Sequence, residues 1–429
     1  MKSNMKHKLF LFISCTLLFL GCHKVSETTL IGKINGDEIY LLGNNFVVLK
    51  LSIYDKDLDK IGVCFSDKIG VQLSVDTAGH ALFYESYDDS YFVKIDNLKE
   101  RTTYYWRSFI QKENILVYGK INSFTTTGPN TGSWTQMADF PGEARGAAVG
   151  FSIGNKGYVG LGESGSGDSY GPYYKDFWEY DPSTNTWTQI ADFPGGERWS
   201  AVGFSIGDRG YVGTGSFGPD YRSLTYLQDF WEYNPATNAW TKKADVPGRT
   251  RECAVGFSIG NKGYVGTGRN RTVSPKDFWQ YDPVLDSWER KEDMPVYSRY
   301  CAVGFSIGNK GYVGTGFDGR IGYGTDVWEY DPSSDSWTEK AYFTGNRKWC
   351  AFGFSIGDKG YLGGGGLASG LMFNDFWEYT PISDSWKLKD IYPGGGGYCS
   401  VGFSIGDKGY VGIGWGDGGT HKDFWRFTP

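Results

Sequence analysis

Histidine is scarce in this chain of 429 residues, which has only His7, His23, His80 and His421. No CxxC pair accompanies them, which excludes a zinc motif. No glycine-rich phosphate cradle, nucleotide loop or Ser-His-Asp order is found. Long apolar runs are missing beyond residue 20, so no later stretch suits a membrane-spanning helix. A cationic excess is missing too. Lys and Arg number 43 against 49 Asp and Glu, a net charge of −6, and this gives no reason to expect a nucleic-acid partner. What abounds is glycine, 63 residues, and aromatics, 17% of the chain with 16 Trp. A disordered chain would lack the aromatics, and so much glycine weakens helices. Strands joined by tight turns suit both excesses.

The first residues read as a targeting segment. Lys2, Lys6 and Lys8 precede an apolar run from Leu9 to Leu20, too short to span a bilayer comfortably. It ends Phe19-Leu20-Gly21-Cys22, which resembles the bacterial lipobox. The resemblance implies a lipoprotein signal peptide over residues 1–21 and lipidation of Cys22. It implies a bacterial cell-envelope protein, at the outer membrane, that touches the membrane through its lipid anchor alone.

Residues 22–127 do not repeat. Short runs such as Phe46-Val47-Val48-Leu49, Ile61-Gly62-Val63-Cys64-Phe65 and Tyr91-Phe92-Val93-Lys94-Ile95 read as strands. Leu98, Tyr104 and Trp106 are spaced like the tyrosine corner of an immunoglobulin-like sandwich. The segment resembles a fibronectin type III domain. Residues 128–132 read as a linker.

Residues 133–429 are repetitive. Gly-Phe-Ser-Ile-Gly begins at Gly150, Gly203, Gly256, Gly304, Gly353 and Gly402. Each unit holds four strand-like runs, with a Gly-Asn/Asp-Lys/Arg-Gly hairpin between the first two. Four strands repeated at this spacing make a propeller blade. The glycine-rich second strand, aromatic third strand and Trp of the fourth resemble the kelch repeat. The series starts with a lone fourth strand at Ser133 and ends with three strands closing at Phe427. The expected fold is therefore all-β. A small immunoglobulin/fibronectin-like sandwich precedes a six-bladed kelch-type β-propeller closed by its own N-terminal strand.

Twelve Trp fall at repeat positions and read as packing. Asp176, Asp229, Asp277, Asp326, Asp375 and Asp423 read as turn hydrogen bonders, not a calcium ring. The runs Asp318-Gly319-Arg320 and Asp417-Gly418-Gly419 carry too few carboxylates for calcium. Cys253, Cys301, Cys350 and Cys399 share one repeat position, where earlier units have Ala147 and Ser200, and read as free, buried thiols beside the central channel. No metal or cofactor is expected.

Function is sought where the units differ. The loops between second and third strands run from Glu163, Ser216, Arg269, Phe317, Gly366 and Trp415, with lengths of 13, 13, 8, 9, 9 and 8 residues. They carry Tyr170, Tyr173, Tyr174, Phe217, Tyr221, Tyr226, Tyr323 and Trp415. In the neighbouring connection between blades, Arg145, Arg198, Arg251, Arg299 and Lys348 recur, and Gly397 breaks the series. Trp199, Tyr300, Trp349 and Tyr398 follow next to them. Cations interleaved with aromatics suit a carboxylate or sugar ligand. The expected site is thus Arg145, Arg198, Trp199, Arg251, Arg299, Tyr300, Lys348, Trp349, Tyr398 and Trp415, with the gap at Gly397 as an opening. A repeated structural salt bridge is the competing reading of the cations.

The leading expectation is an envelope-anchored binding protein whose propeller mouth takes a glycan or protein ligand, with the balance against an enzyme. Kelch-type propellers include galactose oxidase and sialic acid mutarotases. The dearth of histidine disfavours a copper oxidase. A sugar-acid mutarotase or epimerase needs only an acid/base pair and a carboxylate clamp, for which Arg198 or Arg251 with Glu197 or Glu252 are candidates. A structural role in an envelope complex is the third alternative.

Overall fold

The computed structural model describes residues 38–42, 47–52, 60–67, 83–85, 90–95, 98–99, 101–112, 115–126 and 133–429, the last without 166–170, 296–298, 320–321, 369, 395–396 and 417. The signal segment 1–21, Cys22 and the linker 128–132 lie outside the described residues, as does Tyr170. The chain divides into two compact units, Met1–Asn130 and Thr131–Pro429.

In the first unit, β1 (Glu38–Leu42), β2 (Val47–Ser52), β5 (Ser90–Ile95) and β4 (Phe83–Glu85) form one sheet in the order β1-β2-β5-β4. The other is β3 (Lys60–Ser66), β6 (Thr103–Lys112) and β7 (Ile115–Tyr118), with β8 (Asn122–Thr125) also on β6. This is the strand order of constant-type immunoglobulin sandwiches. Val47, Leu49, Leu51 and Ile95 from one sheet and Val63, Trp106, Ile110 and Val117 from the other share a core. Tyr104 Oη accepts the Lys99 backbone N–H at 2.8 Å, pinning the corner that leads into β6.

The second unit holds six four-stranded antiparallel sheets. In the first, β10 (Val149–Ile153), β11 (Lys156–Gly160), β12 (Phe177–Asp181) and β13 (Thr186–Ile190) lie in sequence order. The last sheet takes its fourth strand from the start of the unit: β9 (Ser133–Gln136) pairs with Gly419–Thr428, Trp134 lying opposite Phe427. The first strand of each sheet packs on that of the next, and the sixth on the first, which makes a closed propeller.

The repeated Val-Gly-Phe-Ser-Ile explains this packing. Val149, Phe151 and Ile153 are buried, and so are their counterparts in every blade. The intervening glycine lets blades close up: a Cβ on Gly203 would lie 2.0 Å from Val149 Cγ1 of the preceding blade. Fourth-strand Trp residues staple neighbours together. Trp187 Nε1 donates to Ala138 O at 3.0 Å, and Trp240 Nε1 to Ala191 O at 3.0 Å. Asn185, at φ +55°, accepts from Ala138 N and Tyr180 Oη, both at 2.8 Å. These Trp are packing residues.

Around the central channel, Ala147, Ser200, Cys253, Cys301, Cys350 and Cys399 form a hoop. Each N–H donates to the carbonyl of its counterpart in the preceding blade, Ala147 to Cys399 included, at 2.8–3.0 Å. All six lie in the left-handed region, with φ between 49° and 54°.

Candidate functional site

The repeated cations do not line the mouth. Arg145, Arg198, Arg251, Arg299 and Lys348 are all buried, none more than 3% exposed. Each pairs with the repeat aspartate that opens the third strand: Asp176, Asp229, Asp277, Asp326 and Asp375 respectively. Arg251 shows the geometry, with Nη1 and Nη2 donating to the two Asp277 oxygens at 2.7 and 2.8 Å. The same aspartate accepts from Trp279 Nε1 at 2.8 Å. Burial pushes the Asp277 carboxyl up, but the guanidinium and indole outweigh it and hold it below the ordinary range. Burial lowers Lys348, and Asp375 opposes the shift. The expectation of an Arg/Lys ligand ring at these positions is corrected: a buried cation needs its partner, and these partners are internal. Five of the six repeat aspartates are thus ion-pair partners rather than turn formers, and Asp423 accepts from Trp425 Nε1 at 2.6 Å.

At Gly397 the cation is missing. Tyr392, 1% exposed, lies against this position: a Cβ on Gly397 would sit 3.2 Å from its ring. The expected opening is therefore occupied by an aromatic ring.

The arginines also act on the mouth indirectly. Their Nη1 atoms donate to the carbonyls of Leu161, Thr214, Thr267 and Thr315 at 2.9–3.2 Å. These four residues sit at φ 59–61°, where the chain kinks after the second strand. Two residues beyond each kink the chain pairs with the connection between blades, and at Glu163 and Arg269 that position lines the cavity. A ring of short bridges results: Gly146 with Glu163, Trp199 with Ser216, Glu252 with Arg269, Tyr300 with Phe317, and Tyr398 with Trp415. Trp349 pairs likewise with Gly366.

These pairs surround a cavity of about 460 Å³. Trp199, Trp349, Tyr398 and Trp415 line it, so these four predicted residues are brought together. Ring contacts run from Trp199 to Trp415 (6.5 Å), Tyr398 (6.1 Å), Trp349 (6.2 Å) and Tyr300 (5.7 Å). Glycine at 146 is required here, since a Cβ would meet Trp415 Cε3 at 2.3 Å. Of the other loop aromatics, Tyr174 lies 3.8 Å from the Arg145 guanidinium, Tyr173 donates to Gly218 O at 2.8 Å, and Phe217 is exposed. The Tyr221 side chain lies outside the described residues.

The polar wall consists of Glu163 and Arg269, with Glu252 and Ser216 behind them. Glu252 is fully buried. One of its oxygens accepts from Arg269 Nε at 2.8 Å and the other from Ser216 Oγ. Ser216 Oγ in turn accepts from Trp199 Nε1 at 2.7 Å. The Arg269 guanidinium lies 4.3 Å from the Tyr300 ring centre. Glu163 is 5% exposed and accepts from Gly171 N at 3.0 Å. Burial raises its carboxyl above the ordinary range. The Gly171 N–H opposes that shift, and the Glu252 charge adds to it. Of the acid/base candidates read from sequence, Glu197 is exposed, Arg198 and Arg251 are committed to Asp229 and Asp277, and Glu252 alone adjoins the cavity. Glu163 and Arg269 were not among the predicted site residues. Their signal was the first position of the second-to-third-strand loop, where all six blades differ.

Ser200, Cys253, Cys301, Cys350 and Cys399 of the hoop also line the cavity. The four thiols are free. Burial pushes the Cys301 and Cys350 thiols up, and Cys399 to about 11.

Fold and cavity thus define an all-β propeller protein with an aromatic, carboxylate-bearing site at the channel. No family model matches the chain. The solved structure described as "Structure of YjhT" shares the fold, with a TM-score of 0.57 over 67% of this chain and 95% of that one, at 19% identity. The N-acetylneuraminate epimerase of Pasteurella multocida (strain Pm70) is 35% identical over 141 residues, 32% of this chain and 34% of the relative. That of Haemophilus influenzae (strain PittEE) is 35% identical over 125 residues, 29% of this chain and 32% of the relative. That of Escherichia coli O157:H7 is 33% identical over 117 residues, 27% of this chain and 30% of the relative. The chain spans about a third of the length of the curated relatives it matches. The balance against an enzyme is overturned by these relatives, all of which carry an enzyme's name.

Proposed function

We propose that the protein is an epimerase of the mutarotase type acting on a carboxylated sugar, with N-acetylneuraminate as the first substrate to test. The observation that carries this reading is the presence of Glu163 and Arg269 in one cavity with four aromatic walls. Arg269, oriented by Glu252, pairs with the substrate carboxylate. Trp349, Tyr398 and Trp415 offer faces to the sugar ring. Glu163, whose carboxyl is raised by burial, gives its proton to the ring oxygen as the anomeric C–O bond breaks. The anomeric hydroxyl releases its proton to solvent. Rotation of the carbonyl and reclosure on its other face return both protons and invert the centre.

The test starts from a single anomer of N-acetylneuraminate and follows equilibration by proton NMR, with the wild type, Glu163→Gln and buffer alone. Equilibration is expected to accelerate with the wild type only. A wild-type rate equal to buffer overturns the reading.

We further propose that residues 1–21 are a signal peptide and that Cys22 carries a lipid anchor in a bacterial envelope. In this reading the N-terminal sandwich is a fibronectin type III-like spacer. The lipobox-like Gly21-Cys22 supports the anchor, and the core shared by two sheets supports the sandwich. Cys22→Ser is expected to lose partitioning into detergent phase; unchanged partitioning refutes the anchor.

A further inference from the structure

The hoop of six channel residues does not need thiols. Ala147 and Ser200 hold the same φ and make the same backbone hydrogen bonds as the four cysteines. Packing alone is therefore met by a methyl or a hydroxyl, yet four consecutive blades carry sulfur. The four are also joined in series through the backbone: Cys301 N–H donates to Cys253 O, Cys350 N–H to Cys301 O and Cys399 N–H to Cys350 O, at 2.8–3.0 Å. All four line the cavity, and the thioether residue Met372 lines it too. The hoop holds their backbones one hydrogen bond apart and sets the four thiols side by side on the cavity wall.

Sulfur donors select soft cations. Among the described residues, no group of three or more His, Cys, Asp or Glu is arranged to hold a metal. That argues against zinc, which takes four ligands in structural sites and three with water in catalytic ones. A monovalent d10 ion in linear coordination requires only two thiolates. We infer that the hoop provides two such sites, Cys253–Cys301 and Cys350–Cys399, for a soft monovalent ion of the Cu(I) class. In each site two S–metal bonds form and two thiol protons leave for solvent. The ion keeps its charge, and no electron is transferred. This inference stands apart from the epimerase reading, because none of the four thiols is assigned a role in that reaction.

The experiment uses the full chain, reduced and kept under anaerobic conditions, with Cu(I) supplied from its coloured bicinchoninate complex. Loss of the chelator's absorbance counts the ions removed per chain. Wild type is expected to remove two more ions than Cys301→Ser/Cys350→Ser, in which Cys253 and Cys399 have no neighbouring thiol. Cys253→Ser/Cys399→Ser retains the Cys301–Cys350 pair and is expected to remove one more. Serine already occupies the hoop at Ser200, and an unchanged melting transition verifies folding of both variants. Cys15, Cys22 and Cys64 are common to all three proteins and cancel in the differences. Wild type leaving all copper on the chelator overturns the inference. Equal uptake by all three proteins also overturns it, since the ions would then sit elsewhere.

Discussion

Arg251 and Glu252 are adjacent in sequence and belong to different worlds. The ring that contains Arg251 is cationic in five blades, buried and ion-paired within the fold. The next ring reads Gly146, Trp199, Glu252, Tyr300, Trp349 and Tyr398, with no two neighbouring blades alike, and it pairs with the equally varied ring from Glu163 to Trp415. Within one chain, uniformity marks what every blade needs to stand. Variation marks what the site needs once. The first ring still serves the second, because its guanidiniums fix the kinks from which Glu163 and Arg269 project.

The strongest test of this division is to break one ring at a time. Asp375→Ala leaves Lys348 buried and uncompensated and should cost about 3–5 kcal/mol of stability, measured by denaturant unfolding. Glu163→Gln should do the reverse, lowering the epimerisation rate by roughly 10²–10⁴-fold without a comparable loss of stability. Equal loss of stability from both would erase the distinction between the rings.

Glu163 sharpens the comparison through pH. Its folded carboxyl is raised by burial, so the folded chain keeps a proton that the unfolded chain has already released. Its contribution to stability is complete below the unfolded pKa and is lost as pH rises through the folded one. Glu163→Gln should flatten that fall in a pH series of melting temperatures. If the acid form is the active one, the rate should decline over the same upper limb.

Arg269→Lys keeps the charge but loses the planar fork, and should raise KM about tenfold with a smaller change in kcat. Unaltered KM would remove Arg269 from substrate binding. At the far end of the scale, Ile382 is 94% exposed on the turn between the third and fourth strands of the fifth blade. Ile382→Ser should shift stability by less than about 0.5 kcal/mol and leave the rate unchanged.

The blade was legible because its physics repeats: Val-Gly-Phe-Ser-Ile alternates in burial, and Trp134 stands alone as a fourth strand waiting for a sheet. The aromatics of the mouth were legible by the same comparison of units. The exchange of roles between Arg251 and Glu252 was not. Side-chain direction follows a two-residue period only while the backbone stays extended. Here the following residue, Cys253, sits at φ +53°, and Thr267 before Arg269 at φ +60°. Two left-handed residues reset the alternation, so spacing alone could not tell which neighbour turns inward. The aspartate partners lie 26–31 residues away from their arginines, beyond any local pattern.

The seam between β9 and Gly419–Thr428 has a consequence for how the protein is made. Ser133 pairs with Thr428, at the opposite end of the repeat region. The other five sheets each take their four strands from one contiguous segment, whereas the sixth needs both ends of the repeat region. Bringing such distant segments together is slow, because the entropy of closing a long loop comes before any contact rewards it. Trp415 belongs to that sixth sheet. A folding chain that has not yet closed this seam therefore carries an unfinished cavity and an open sheet edge, and closure completes both at once.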